Sequence, residues 1–161
     1  MEKSRVWKFD DNVDTDQIIP SQYLLLSSID EMMVYTFEPL IDGFAKLVKE
    51  GDVIVAGENF GCGSSREQAP RVLKNLGVKA VIASSFARIF FRNAINIGLP
   101  VIICKEARRS LKHGDLLSID MVKGHIVTDG GNLNCTKLPE YMQNILNEGG
   151  LIELLNKEVT E

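Results

Sequence analysis

Apolar residues in this chain fall into short blocks, and their period changes along the sequence. Val6-Trp-Lys-Phe9 alternates apolar and polar positions, the two-residue period of a half-buried strand. Residues 10–20 are rich in Asp, Asn and Thr and end in Pro20, which predicts an ordered loop. A short apolar segment, residues 23–28, lies within the connection that follows. Residues 29–50 space their apolar positions by three and four and predict one or two short helices, broken at Pro39 and Gly43.

The middle third is more regular. Asp52-Val-Ile-Val-Ala56 and Ala80-Val-Ile-Ala83 are continuous apolar runs, the mark of strands covered on both faces. Leu99-Pro-Val-Ile-Ile-Cys104 predicts a third strand. Between them, residues 66–76 and 85–97 have helical patterns closed by Gly77 and Gly98, with Ser84 or Ser85 expected to cap the second helix. Strand, helix, strand, helix, strand implies parallel pairing through crossovers. After Gly114, residues 115–120 and 124–128 with the turn Asp129-Gly-Gly131 predict antiparallel hairpin structure. Pro139 opens a helix, and Gly149-Gly150 separates it from a last one. The expectation is one α/β domain over residues 1–161, with no internal repeat or linker.

Composition narrows the function. A chain of 161 residues, 45% hydrophobic and 25% charged, has the ordinary globular balance. Its net charge of −4, with no cluster of Lys and Arg among aromatics, argues against nucleic acid as a partner. No apolar run approaches the roughly 20 residues that span a bilayer, and residues 1–14 lack the apolar segment of a signal peptide. Cys62, Cys104 and Cys135 stand singly, which suggests neither a disulfide framework nor a metal site held by this chain, and Cys104 reads as a small buried hydrophobe. A reducing, cytoplasmic setting is expected.

The chemistry concentrates in Gly57-Glu-Asn-Phe-Gly-Cys-Gly-Ser-Ser-Arg-Glu-Gln68, between a buried strand and a helix. Its glycines allow sharp turns and close approach of a ligand, and free N–H groups at the following helix start would favour an anion or an oxyanion. Ser64 and Ser65 supply hydroxyls, and Arg66 supplies a planar fork for a carboxylate. Other motifs fail on detail. Arg66 stands where a dinucleotide fingerprint needs glycine, no Gly-Lys-Ser/Thr triplet is present, and there is no Gly-x-Ser-x-Gly elbow. The bland alternative is a capped helix, with Ser64 or Ser65 as N-cap and Glu67 or Gln68 completing a box.

Gly63-Ser-Ser-Arg-Glu-Gln68, preceded by Asp14-Thr-Asp-Gln-Ile-Ile-Pro20 and followed by residues 80–90, resembles the swivel domain of the aconitase family. Within that family it is most similar to the stand-alone small subunits of isopropylmalate isomerase and homoaconitase. The resemblance covers essentially the whole chain and implies a mixed β/β/α domain that closes over a large subunit. It implies a dehydration and rehydration that moves a hydroxyl between adjacent carbons of a malate-like acid. Ser64 would match the alkoxide base, and Ser65 and Arg66 the groups that hold a substrate carboxylate. A [4Fe–4S] cluster, the Lewis acid for the departing hydroxyl, would be carried by the large subunit and not by this chain. Cys62 is expected to pack and not to react.

In the same family, the loop after the Thr-Asp-x-Ile motif reads the distinguishing group of the substrate. Here it is Tyr23-Leu24-Leu25-Leu26, with Leu25 where the homoaconitase branch has an arginine. Residues 11–45 hold no Lys, Arg or His, so a third carboxylate would find no local counter-charge. The expectation is an isopropyl group against these leucines, which would gain about 0.8 kcal/mol per buried CH₂. A smaller branched malate (dimethylmalate or methylmalate) and homoaconitate stay open, as does a non-catalytic carboxylate-binding or assembly module.

Overall fold

A computed structural model describes residues 1–160. Strand β1 (Ser4–Lys8) pairs in parallel with β2 (Val53–Ala56), β2 with β3 (Ala80–Ala83), and β3 with β4 (Val101–Ile103). On its other side β1 pairs antiparallel with β5 (Leu116–Asp120), which continues through β6 (His125–Thr128) to β7 (Gly131–Asn134). The seven strands therefore run in the order β4-β3-β2-β1-β5-β6-β7. The two ends of this sheet meet. Thr136 N–H donates to Ile103 O at 2.8 Å, and Cys104 Sγ lies 3.5 Å from Asn134 O. The sheet is curled almost onto itself.

Curling explains the unbroken apolar strands. Val53 and Val55 face an inner cluster with Val6, Ile82, Leu117 and Ile126, while Ile54 and Ala56 face an outer one beneath the helices. All four residues of β2 and of β3 are buried. The helices are α1 (Thr15–Ile18), α2 (Ile29–Met33), α3 (Phe44–Leu47), α4 (Gln68–Asn75), α5 (Arg88–Asn96), α6 (Ala107–Ser110), α7 (Glu140–Asn147) and α8 (Leu151–Thr160). Ser21–Leu25 form a 3₁₀ helix.

The expected strands and the parallel crossovers are present, and glycine ends both crossover helices. After α4, Gly77 (φ 81°) donates to Lys74 O and Val78 donates to Leu73 O, a left-handed helix stop. Gly98 (φ 79°) does the same after α5, and a Cβ there would lie 2.2 Å from Gly149 O in the α7–α8 turn.

Several expectations need correction. Residues 10–20 are not all loop: Asp14 accepts from Gln17 N–H at 2.8 Å while Gln17 Oε1 accepts from Asp14 N–H at 3.1 Å, a complete capping box that starts α1. Neither Ser84 nor Ser85 caps α5, which begins after Ala87. Ser85 Oγ instead accepts from Asn59 N–H at 2.8 Å, because the chain there crosses toward the glycine-rich loop. The short helix α6 and the third antiparallel strand β7 were not legible. Cys104, buried as expected, is not solitary: the half-buried Cys135 lies beside it across the seam. That proximity lowers the Cys104 thiol and raises that of Cys135.

Candidate active site

The loop after β2 is held from two sides. Toward α1, Gly61 N–H donates to Val13 O at 2.7 Å, Thr15 N–H to Cys62 O at 2.8 Å, and the buried Thr15 Oγ1 to Ser64 O at 2.8 Å. Toward α5, Phe60 N–H donates to Ser85 O at 3.1 Å and Ala87 N–H to Phe60 O at 2.9 Å. Gly61 (φ 81°) lies so close to α5 that a Cβ would stand 2.2 Å from Phe90 Cγ. Only glycine satisfies both the left-handed backbone and that approach.

These contacts leave a cavity of about 200 Å³ beside exposed Ser64 and Ser65. Neither serine hydroxyl has a hydrogen-bond partner among the described residues. Arg66 closes one side, its side chain only 14% exposed, with Nη1 3.1 Å from Asp16 Oδ1 and 3.0 Å from Ile19 O. Nη2 and Nε are left for a ligand. Asp16 Oδ1 also accepts from Ser21 N–H at 3.0 Å. That N–H and then the Arg66 guanidinium hold the Asp16 carboxyl below its ordinary value. The residue that grips Arg66 thereby anchors the start of the 3₁₀ helix.

Among the described residues the cavity wall holds two cations, Arg66 and Arg88, and no carboxylate. That field favours an anionic ligand and a serine alkoxide over neutral forms. Cys62 is not a competing nucleophile: burial first, then the Asp14 carboxylate, pushes its thiol up. Its carbonyl does the work of binding Thr15.

The helix start that borders the cavity is not the expected one. α4 begins at Gln68, with Glu67 as N-cap and no side-chain cap bond, so neither Ser64 nor Ser65 is spent on capping. Ala69 N–H donates back to Arg66 O at 3.3 Å and Pro70 has no N–H to offer. The first turn of α5 lines the cavity instead, through Ala87, Arg88, Ile89 and Phe90. Arg88, Asn93 and Thr15 had no assigned role from sequence, although 80–90 and 14–20 were both singled out as motifs.

The structure does not bring residues 23–26 into the wall of this cavity. Leu24 and Leu26 pack against the outer core, as does Tyr23, which stacks on Tyr35 at 3.8 Å and donates its hydroxyl to Glu38. Leu25 alone projects, 93% exposed. Of the three leucines, only Leu25 has its side chain free at the surface.

Comparison with known proteins gives the relationship. The 3-isopropylmalate dehydratase small subunit of Methanosarcina acetivorans is 52% identical over 161 residues, 99% of either chain. The chain belongs to this family of dehydratase small subunits. The model of the aconitase C-terminal domain matches residues 45–106, which contain the Ser64 loop and the first turns of α5. A solved structure of 3-isopropylmalate dehydratase from Methanocaldococcus jannaschii has a TM-score of 0.92 and 48% identity, over 98% of this chain and 95% of that one. Members of the family carry different substrate names. The isopropylmalate/citramalate isomerase small subunit of M. jannaschii is 50% identical over 99% of this chain and 96% of its own length. The methanogen homoaconitase small subunit of Methanothermobacter thermautotrophicus is 53% identical over 93% and 88%. Overall identity therefore does not select the acid; local chemistry has to.

Proposed function

We propose that this chain is the small subunit of a hydro-lyase that interconverts 2-isopropylmalate and 3-isopropylmalate by dehydration and rehydration, as in leucine biosynthesis. The observation that carries the reading is a free, exposed serine in a cavity whose wall holds two guanidinium groups and no carboxylate. Ser64 Oγ, as the alkoxide, takes the proton from the carbon beside a carboxylate. The electron pair left on that carbon forms the double bond as the hydroxyl departs; rehydration then adds a hydroxyl to the carbon that lost its proton and a proton to the carbon that lost its hydroxyl. Ser65 and the open edge of the Arg66 fork hold the carboxylate beside the reacting carbon, where negative charge grows as the proton leaves.

The iron–sulfur cluster that the family implies does not fit this chain. Among the described residues no three His, Cys, Asp or Glu side chains gather, and the three cysteines stand as free thiols. The cluster is assigned to a large-subunit partner, so the active site is split between two chains and the isolated small subunit is inactive.

Leu25 and the absence of any Lys, Arg or His from residues 11–45 support a branched alkyl substrate over a tricarboxylic acid. The family member named for both isopropylmalate and citramalate favours a second reading, a smaller branched malate. The deciding measurement is kcat/KM of the reconstituted two-subunit complex on isopropylmalate, citramalate and homoaconitate. A preference for isopropylmalate is expected. Equal or greater efficiency on homoaconitate would remove the substrate assignment, and no turnover of any of the three would remove the hydro-lyase assignment.

A further inference from the structure

We propose that Arg88 is a substrate-binding residue that takes the second carboxylate of the di-acid while Arg66 and Ser65 take the first. The inference rests on the hydro-lyase reading, in which the substrate is a substituted malate. Such an acid keeps two carboxylates on adjacent carbons through dehydration and rehydration. Once the large subunit excludes water, each carboxylate needs a counter-charge or donors, since an unpaired buried carboxylate costs several kcal/mol.

The cavity supplies one fork already half used. Arg66 has Nη1 on Asp16 and on Ile19 O, which leaves one edge of its guanidinium and thus room for one carboxylate. Arg88 makes no hydrogen bond or ion pair among the described residues, although it stands in the same wall. Its backbone is well placed to hold a ligand steady. Ala87, just before it, is tied to Phe60 O at 2.9 Å, and Phe90, two residues on, is the side chain against which Gly61 is pressed. Arg88 therefore springs from a turn locked to the Ser64 loop. Ile89, 50% exposed, gives the same wall an apolar surface for an alkyl group, and Asn93, one turn further, adds an amide. One turn of α5 thus offers complements to the charged and the branched parts of the acid.

Arg88 also borders a groove along α5 with Phe91, Tyr141 and Met142, so the rival role is contact with the partner subunit. The test uses the reconstituted complex. Arg88→Met keeps the aliphatic stem and removes the charge, and Arg88→Lys keeps the charge without the fork. With isopropylmalate, Arg88→Met is expected to raise KM by about tenfold or more, the usual range for a lost charge-assisted bond. Arg88→Lys should recover part of that loss, and affinity for the large subunit should not change. Inhibition by succinate, a plain di-acid, should weaken in Arg88→Met, while inhibition by butyrate, a mono-acid, should not. A KM within twofold of wild type, or a KM loss matched by weaker assembly, would overturn the assignment of Arg88 alone. A wild-type complex that turned over no substituted malate would overturn the hydro-lyase reading and this inference together.

Discussion

Ser64 has no neighbouring base: its hydroxyl is unpartnered, and its carbonyl, held by Thr15, fixes only the backbone. As the proposed base it would draw its acidity from the field of Arg66 and Arg88. Ser64→Ala should lower kcat by a factor on the order of 10²–10⁴, the usual worth of a positioned base, while the Kd for the large subunit stays within about twofold. Equal losses of assembly and rate would make the serine structural. Leu25 bears on a different quantity. With 93% of its surface free and no cation from residue 11 to 45, it sets polarity at the loop tip and not stability. Leu25→Arg should move the kcat/KM ratio toward homoaconitate by roughly 10-fold or more, the value of one charge-assisted bond. An unchanged ratio would place the loop tip away from the bound acid.

At the scale of elements, the site is a junction of three: α1, the loop after β2, and the first turn of α5. Gly61 is where they come closest. Gly61→Ala adds a Cβ 2.2 Å from Phe90 Cγ on a backbone at φ 81°. Strain of this kind costs about 1–3 kcal/mol, relieved only by moving the loop off α5. Thermal unfolding should show a lowered Tm, and kcat/KM should fall further than the lost stability explains, because Ser64 and Arg88 move apart. A variant with normal kcat/KM would show that the two walls need not be in register. Asp16 links the same junction to the segment that carries Leu25, since one carboxylate oxygen holds both Arg66 and the N–H of Ser21 at the start of the 3₁₀ helix.

For the molecule as a whole, Asp52 ties the sheet to the α3 region far from the chemistry. It accepts from Arg5 at 2.7 Å, Trp7 Nε1 at 2.8 Å and Lys49 N–H at 2.9 Å. Burial pushes its carboxyl up, but these three donors outweigh burial and leave it below its ordinary value. A carboxyl lowered in the folded state stabilises the fold fully above its unfolded pKa of about 3.9, and that contribution is lost as pH falls through the lower folded value. Asp52→Asn should therefore lower Tm at neutral pH and flatten its decline below about pH 4. A parallel decline in variant and wild type would assign acid sensitivity to other carboxylates.

How far the sequence reaches depends on the range of the interaction. Apolar runs at 52–56, 80–83 and 99–104, closed by Gly77 and Gly98, state their own strands and helix ends, because those depend on residues within a turn or two. The Ser64–Arg66 motif is equally local, and so the family was legible from it. What assembles the candidate site is distant in sequence: Arg66 on Asp16, Ser85 under Asn59 in place of a helix cap, Arg88 in the same cavity wall as Ser64. Closure of the sheet is of the same kind, since Thr136 meets Ile103 and Cys135 meets Cys104 only because seven twisted strands curl round. Local pattern determined the strands, the helix stops and the candidate base. Tertiary packing decided which helix faces Ser64 and which leucine stays free, because those follow from how distant segments meet.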